Sequence, residues 1–97
     1  MKLRFHPEAA VEAREARRWY RARNEQASTA FVVAYRRTLD SIREAPERWP
    51  AHRHGTRRVV LRGFPYSVVY RASDGAVVVV AVAHDKRRPG YWRERTP

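Results

Sequence analysis

Residues 76–95 read AVVVVAVAHDKRRPGYWRER. From Ala76 to Ala83 no side chain is polar, and valine dominates. A short, unbroken, β-branched run of this kind reads as a strand covered on both faces. It is far too short to cross a bilayer, which takes roughly 20 apolar residues. At His84 the character reverses. Lys86, Arg87, Arg88, Arg93 and Arg95 crowd around Pro89, Gly90, Tyr91 and Trp92. A covered central strand that delivers cations and aromatic rings to its exposed end is one way to build an anion site. Pro89 and Gly90 read as the turn that folds the tail back, and Trp92 as a lid packed on the core.

Working back from this stretch, Ser73-Asp74-Gly75 reads as a hairpin turn, with Gly75 free to take a positive φ. The strand before it spans Tyr66 to Arg71. Tyr66, Val68 and Tyr70 share one face, and Ser67, Val69 and Arg71 the other. Gly63, Phe64 and Pro65 make a tight connection to a strand over Arg57 to Arg62, with Val59 and Leu61 on one face. Pro46 to Thr56 is a loop. Its His52-x-His54 pair has no cysteine and no nearby carboxylate to complete a metal site.

Two helices precede the loop. Ala27, Ala30, Phe31, Ala34, Tyr35, Thr38, Leu39 and Ile42 keep the i, i+3, i+4 rhythm of one buried stripe, which stops before Pro46. Ala9, Ala13, Ala16 and Tyr20 recur at helical spacing after Pro7 and Glu8, a proline and carboxylate suited to a helix start. Arg21 to Gln26 reads as the turn between the helices, with Asn24 as N-cap. Lys2 to His6 alternates as a short strand. The order is β-α-α-β-β-β over a single domain, residues 1–97. The fold class is α+β, a helical hairpin on a small, mainly antiparallel sheet. The apolar last strand belongs in the middle of that sheet, beside the N-terminal strand.

The chain carries 21 Lys and Arg against 10 Asp and Glu, a formal net charge of +11. Nucleic acid and acidic protein are the partners such a balance favours. Anionic lipid ranks below them, because neither helix opposes a basic face to a large apolar one. Arginine outnumbers lysine and brings a planar fork for phosphate or carboxylate. The absence of cysteine excludes disulfide scaffolding and thiolate metal sites. The N-terminus shows no apolar core of a signal peptide, so a cytoplasmic protein is expected.

Four features together resemble the RelE/ParE superfamily of toxins from bacterial type II toxin–antitoxin modules. An N-terminal strand is followed by Pro7 and paired helices. The second helix ends in I-x-x-x-P, Ile42 to Pro46. An F-P-Y segment, Phe64 to Tyr66, opens a strand ending in Val69-Tyr70. The apolar strand closes with A-V-x-H-x-x-R-x-P-x-Y-W-x-x-R, Ala81 to Arg95. The resemblance covers nearly the whole chain and agrees with the fold read above. It implies a cognate antitoxin whose acidic C-terminal segment wraps the basic toxin. It also implies one of two targets. ParE-like members poison DNA gyrase, and the C-terminal motif here is closer to that branch. RelE-like members cleave mRNA, usually inside the ribosome. A non-catalytic nucleic-acid-binding module is the third reading.

Cleavage of the RelE kind needs no cofactor or metal. It activates a 2′-hydroxyl, stabilises the crowded phosphorane with nearby cations and protonates the leaving oxygen. The resemblance places His84, Lys86, Arg87, Arg88 and Tyr91 in that role at the strand end, with Tyr91 at the position of the C-terminal tyrosine of RelE-like nucleases. Arg57, Arg58, Arg62 and Arg71, on neighbouring strands, are the expected substrate-binding cations. In a gyrase poison the same cluster is a docking surface.

Overall fold

The structure, a computed structural model, describes residues 1–95. It contains β1 (Lys2–Phe5), α1 (Pro7–Arg23), α2 (Glu25–Glu44), a short 3-10 turn (Arg53–Gly55), β2 (Arg57–Val60), β3 (Tyr66–Ser73) and β4 (Ala76–His84). The sheet order is β1-β4-β3-β2. β1 pairs parallel with β4, and the other two pairings are antiparallel. The apolar strand is therefore central and lies beside the N-terminal strand, as its composition requires.

Local chemistry sets the helix ends. The backbone N–H of Glu8 donates to His6 Nδ1 (3.1 Å), and Pro7 occupies the first turn, where a missing N–H costs nothing. The hairpin turn is tighter than the six polar residues suggest. Asn24 alone ends one helix and starts the next. Its N–H donates to the carbonyl of Tyr20 (2.8 Å), and its Oδ1 accepts from the N–H of Ala27 (3.1 Å). The Asp74-Gly75 turn takes positive φ at both residues, 51° and 74°. This is the twist a two-residue hairpin needs.

The two faces of the sheet are covered differently. On one face Ala9 and Ala16 of α1 and Phe31, Leu39 and Ile42 of α2 pack on Val68, Tyr70, Val77, Val79 and Val82. Phe31 stacks on Tyr20 and meets Phe64 and Tyr66 edge-on, with centroids 5.4–5.5 Å apart. The α2 stripe is rotated slightly from expectation. Ala30 is exposed and Ser28 is buried instead, its hydroxyl donating to the carbonyl of Arg17 (3.4 Å). Burial of Tyr35 in this layer pushes its phenol up to about 12.

The opposite face is closed by the C-terminal tail. Trp92, 2 % exposed, packs on Val69, Val80 and Ala81. A register shift between Val69 and Tyr70 makes this possible. Val69 pairs with Ala81 and Tyr70 with Val79, so Val80 has no partner in the ladder. This β-bulge puts Val80 and Ala81, consecutive in sequence, into the same small cluster under Trp92. Val78, by contrast, is only half-buried.

Cover on the two faces predicts unequal tolerance along β4. Val79→Asp leaves an unpaired charge in the main core and should cost more than about 4 kcal/mol. Val78→Asp should cost less than half of that. Urea unfolding of both variants checks this. Equal losses would mean that Val78 is as deeply enclosed as Val79.

Candidate functional site

The bulged end of β4, the tail and the loop before β2 enclose a cleft of about 250 Å³. Arg58 reaches it from β2, Ser67 from β3, His84 from the end of β4, and Arg87, Arg88 and Tyr91 from the tail. His52 and Arg53 close it from the loop. Each position has a local cause. Arg58 alternates away from the buried Val59, and its Nε donates to the hydroxyl of Ser67 (3.1 Å). His84 Nδ1 accepts from the N–H of Lys86 (3.0 Å), which starts the turn out of the strand. Gly90 takes φ 76°, and a Cβ there would sit 3.3 Å from Nε2 of His54. The turn that brings the tail back thus needs a glycine twice over.

The tail is anchored by a carboxylate that the sequence did not single out. β1 ends at Phe5, and among the described residues no strand continues along that edge of β4 beyond Val79. Glu12, from the second turn of α1, fills the gap. Its Oε1 accepts from the N–H of Val82 (3.0 Å) and from Arg95 (2.8 Å), and its Oε2 accepts from Arg95 (3.0 Å) and from the hydroxyl of Tyr91 (2.6 Å). Arg95 also donates to the carbonyl of Val80 (3.1 Å). The ion pair is largely shielded, with side-chain exposures of 15 % for Arg95 and 11 % for Glu12. Glu12 lies one turn from Ala9 and Ala16 on the same face of α1. A carboxylate inside an apolar stripe was the one available signal.

This arrangement fixes protonation. Burial, the hydrogen bond to Glu12 and its negative charge hold the Tyr91 phenol well above its ordinary value. Tyr91 is thus a neutral donor aimed at Glu12, and its ring carries Arg87, whose guanidinium lies 3.9 Å from the centroid. Burial and the neighbouring Arg58, Arg53 and His54 push His52 below the usual imidazole range. The cleft therefore gathers the guanidiniums of Arg53, Arg58, Arg87 and Arg88 around His52 against one carboxylate, Asp85, a net positive setting suited to an anion.

Of the nine residues expected in the site, Arg58, His84, Arg87, Arg88 and Tyr91 come together around the cleft. Lys86 is exposed on the turn beside it. The other three strand arginines lie elsewhere, which corrects the expectation that they share its surface. Arg57 bonds the carbonyl of Trp49. Arg71 donates to the carbonyls of Arg95 (3.2 Å) and His54 (3.3 Å), stapling tail to loop. Arg62 borders a separate groove with Trp49, Phe64 and Arg37. His52, whose spacing to His54 suggests at most a metal pair, is a cleft residue. Among the described residues no three His, Cys, Asp or Glu converge on a metal position.

Residues 3–89 match the family described as the ParE toxin of the type II toxin–antitoxin system parDE. Among solved structures, the chain resembles one from the chromosomal ParDE TA system of P. aeruginosa. The TM-score is 0.75 at 15 % identity, over 87 % of this chain and 95 % of that one. No curated protein matches the chain.

The Glu12 anchor makes two measurable demands. Glu12→Ala strands a shielded guanidinium and an edge N–H, and should cost about 3 kcal/mol. Arg95→Ala should cost a similar amount. The double variant should fall well short of their sum, because the two act as one unit. Chemical denaturation of the three variants gives that coupling directly. The second demand concerns pH. A phenol held protonated by the fold contributes stability that is intact below pH 10.0, its ordinary value, and is lost as pH rises beyond it. Tyr91→Phe should remove part of the alkaline loss between about pH 10 and 12. An unchanged slope there would place the Tyr91 proton under no influence of Glu12.

Proposed function

Because the chain belongs to the ParE toxin family of type II toxin–antitoxin systems, we propose that it arrests growth by poisoning DNA gyrase and is neutralised by a cognate antitoxin. The observation that carries the gyrase reading over mRNA cleavage is the state of Tyr91. Its hydroxyl donates to Glu12 at 2.6 Å, and burial and that bond raise its pKa. A general acid or base has to release or exchange a proton near neutral pH. With Tyr91 committed to the tail anchor, the basic cluster serves as a docking surface. Arg87 and Arg88 are exposed on it, and His84 is occupied as the first residue of the turn. Gyrase acts on the chromosome, so the toxin works in the cytoplasm.

The net charge of +11 supports an acidic antitoxin segment. Opposite charge speeds encounter and lets a bound segment screen the cations that would meet the target. No described helix is long and apolar enough to cross a membrane.

Ribosome-linked mRNA cleavage is the second reading, and one feature favours it. A neutral His52 stands in the same cleft as Arg58, Arg87 and Arg88, a base beside cations able to stabilise a phosphorane.

Brief induction without antitoxin, with parallel mapping of mRNA ends and gyrase-linked DNA breaks, separates the two. The gyrase reading expects double-strand breaks, trapped gyrase and intact mRNA. It expects Tyr91→Phe to stay toxic, and Arg87→Ala combined with Arg88→Ala to lose toxicity while folding normally. Codon-phased mRNA cuts that vanish in Tyr91→Phe and His52→Ala would overturn it.

A further inference from the structure

On the other side of the β4 end lies a second recess, of about 200 Å³. One wall is a face of α1, with Glu15 and Trp19 one turn apart and Glu12 beside them, its charge already taken up by Arg95 and Tyr91. The other wall is Tyr66 and His84 at the ends of β3 and β4, and Arg87 closes it. Trp19 is 49 % exposed, an unusual cost for the largest apolar side chain of a helix that buries alanines. It is nevertheless held in place. The Arg23 guanidinium stacks 3.6 Å from its ring centroid and donates to its carbonyl (3.1 Å), and the Tyr20 ring meets it edge-on at 5.0 Å. Arg23 takes no part in the recess, so the indole is braced from outside while still bordering the groove. Tyr66 is set by a matching edge contact with His84 at 5.0 Å.

Each of these features suits a flat heteroaromatic ligand with a phosphate. A recess of this size has room for one planar group. Pre-positioned aromatic rings stack on nucleobases at low entropic cost. The recess and the basic cleft share His84 and Arg87. A base seated in the recess therefore has its phosphate beside the arginine that also faces the cleft, where Arg58 and Arg88 add charge. Glu15 adds selectivity. Its carboxylate accepts two N–H groups at once from the N1 and N2 positions of guanine, whereas adenine offers a donor beside an acceptor nitrogen that repels it.

We propose that the recess between α1 and the end of β4 is a nucleobase site, with guanine stacked on Trp19, its Watson–Crick edge toward Glu15 and its 5′-phosphate on Arg87. Neither toxin reading contains this site, and it requires no cleavage chemistry. The ligand is a free guanine nucleotide or a guanine in an unpaired strand, which have the same recognised parts.

The test is titration of the full ¹⁵N-labelled chain, followed at the three indole N–H resonances of Trp19, Trp49 and Trp92. Trp19 is assigned by its loss in Trp19→Leu, an exposed substitution. GMP should shift the Trp19 resonance, AMP should shift it with at least about fivefold weaker affinity, and ribose 5-phosphate should leave it unmoved. Glu15→Gln should narrow the difference between GMP and AMP. Arg87→Ala should weaken GMP and leave guanosine as it was. A pentathymidylate with one central guanine, at the same salt, identifies the source. Tighter binding than GMP points to a strand, and weaker binding to the free nucleotide. A Trp19 resonance that GMP does not move, or that ribose 5-phosphate moves equally, overturns the proposal. Gyrase is absent from this titration, so its outcome is independent of the toxin target.

Discussion

An edge of the central strand has to be closed, and the molecule closes it with a side chain. β4 needs partners on both sides. β1 supplies them only as far as Val79, because the chain turns into α1 after Phe5. Past that point Glu12 accepts from the N–H of Val82, and Arg95 donates to the carbonyl of Val80. Buried backbone groups left without partners cost about as much as a lost hydrogen bond each. Carboxylate and guanidinium satisfy them and then each other. The tail is held down by the same bonds, so the cover over the far face of the sheet and the closure of the strand edge are one device.

That device determines what the site can be. Tyr91 is drawn to Glu12 and becomes a fixed donor and a platform for Arg87. Of the other tail cations, Arg87 and Arg88 are left facing out around the cleft. The helical hairpin makes most of the core on its own face. The opposite face depends on Trp92 and three small β4 and β3 residues. The cleft opens on this thinner face, so side chains around it can be exchanged with little effect on the main core.

Much of this was legible in the sequence where the cause is local. The valine run, the helical stripe ending before Pro46, the Asn24 cap and the Asp74-Gly75 turn each depend on residues a few positions apart. The strand order followed from one composition, since only a central strand is apolar on both sides. Contacts over long separations were not legible. Glu12 meets Tyr91 across 79 residues and Arg95 across 83, and nothing in the local pattern marks it except its place in an alanine stripe. Strand alternation was a poor guide for arginine. Arg57 and Arg71 sit on strands as expected, but long side chains find carbonyls of the loop and tail before they reach the cleft.

The parallel pairing of the first strand with the last has a consequence for synthesis. β1 emerges first and has no partner until Ala76 to Val79 have been made. Glu12 waits for Val82, 70 residues later, and then for the tail. At about 5–20 residues per second, the ribosome leaves the helical hairpin without its sheet for several seconds. The basic cluster takes its shape only once Tyr91 and Arg95 have been made and have met Glu12, long after the helical hairpin that carries Glu12 has left the ribosome.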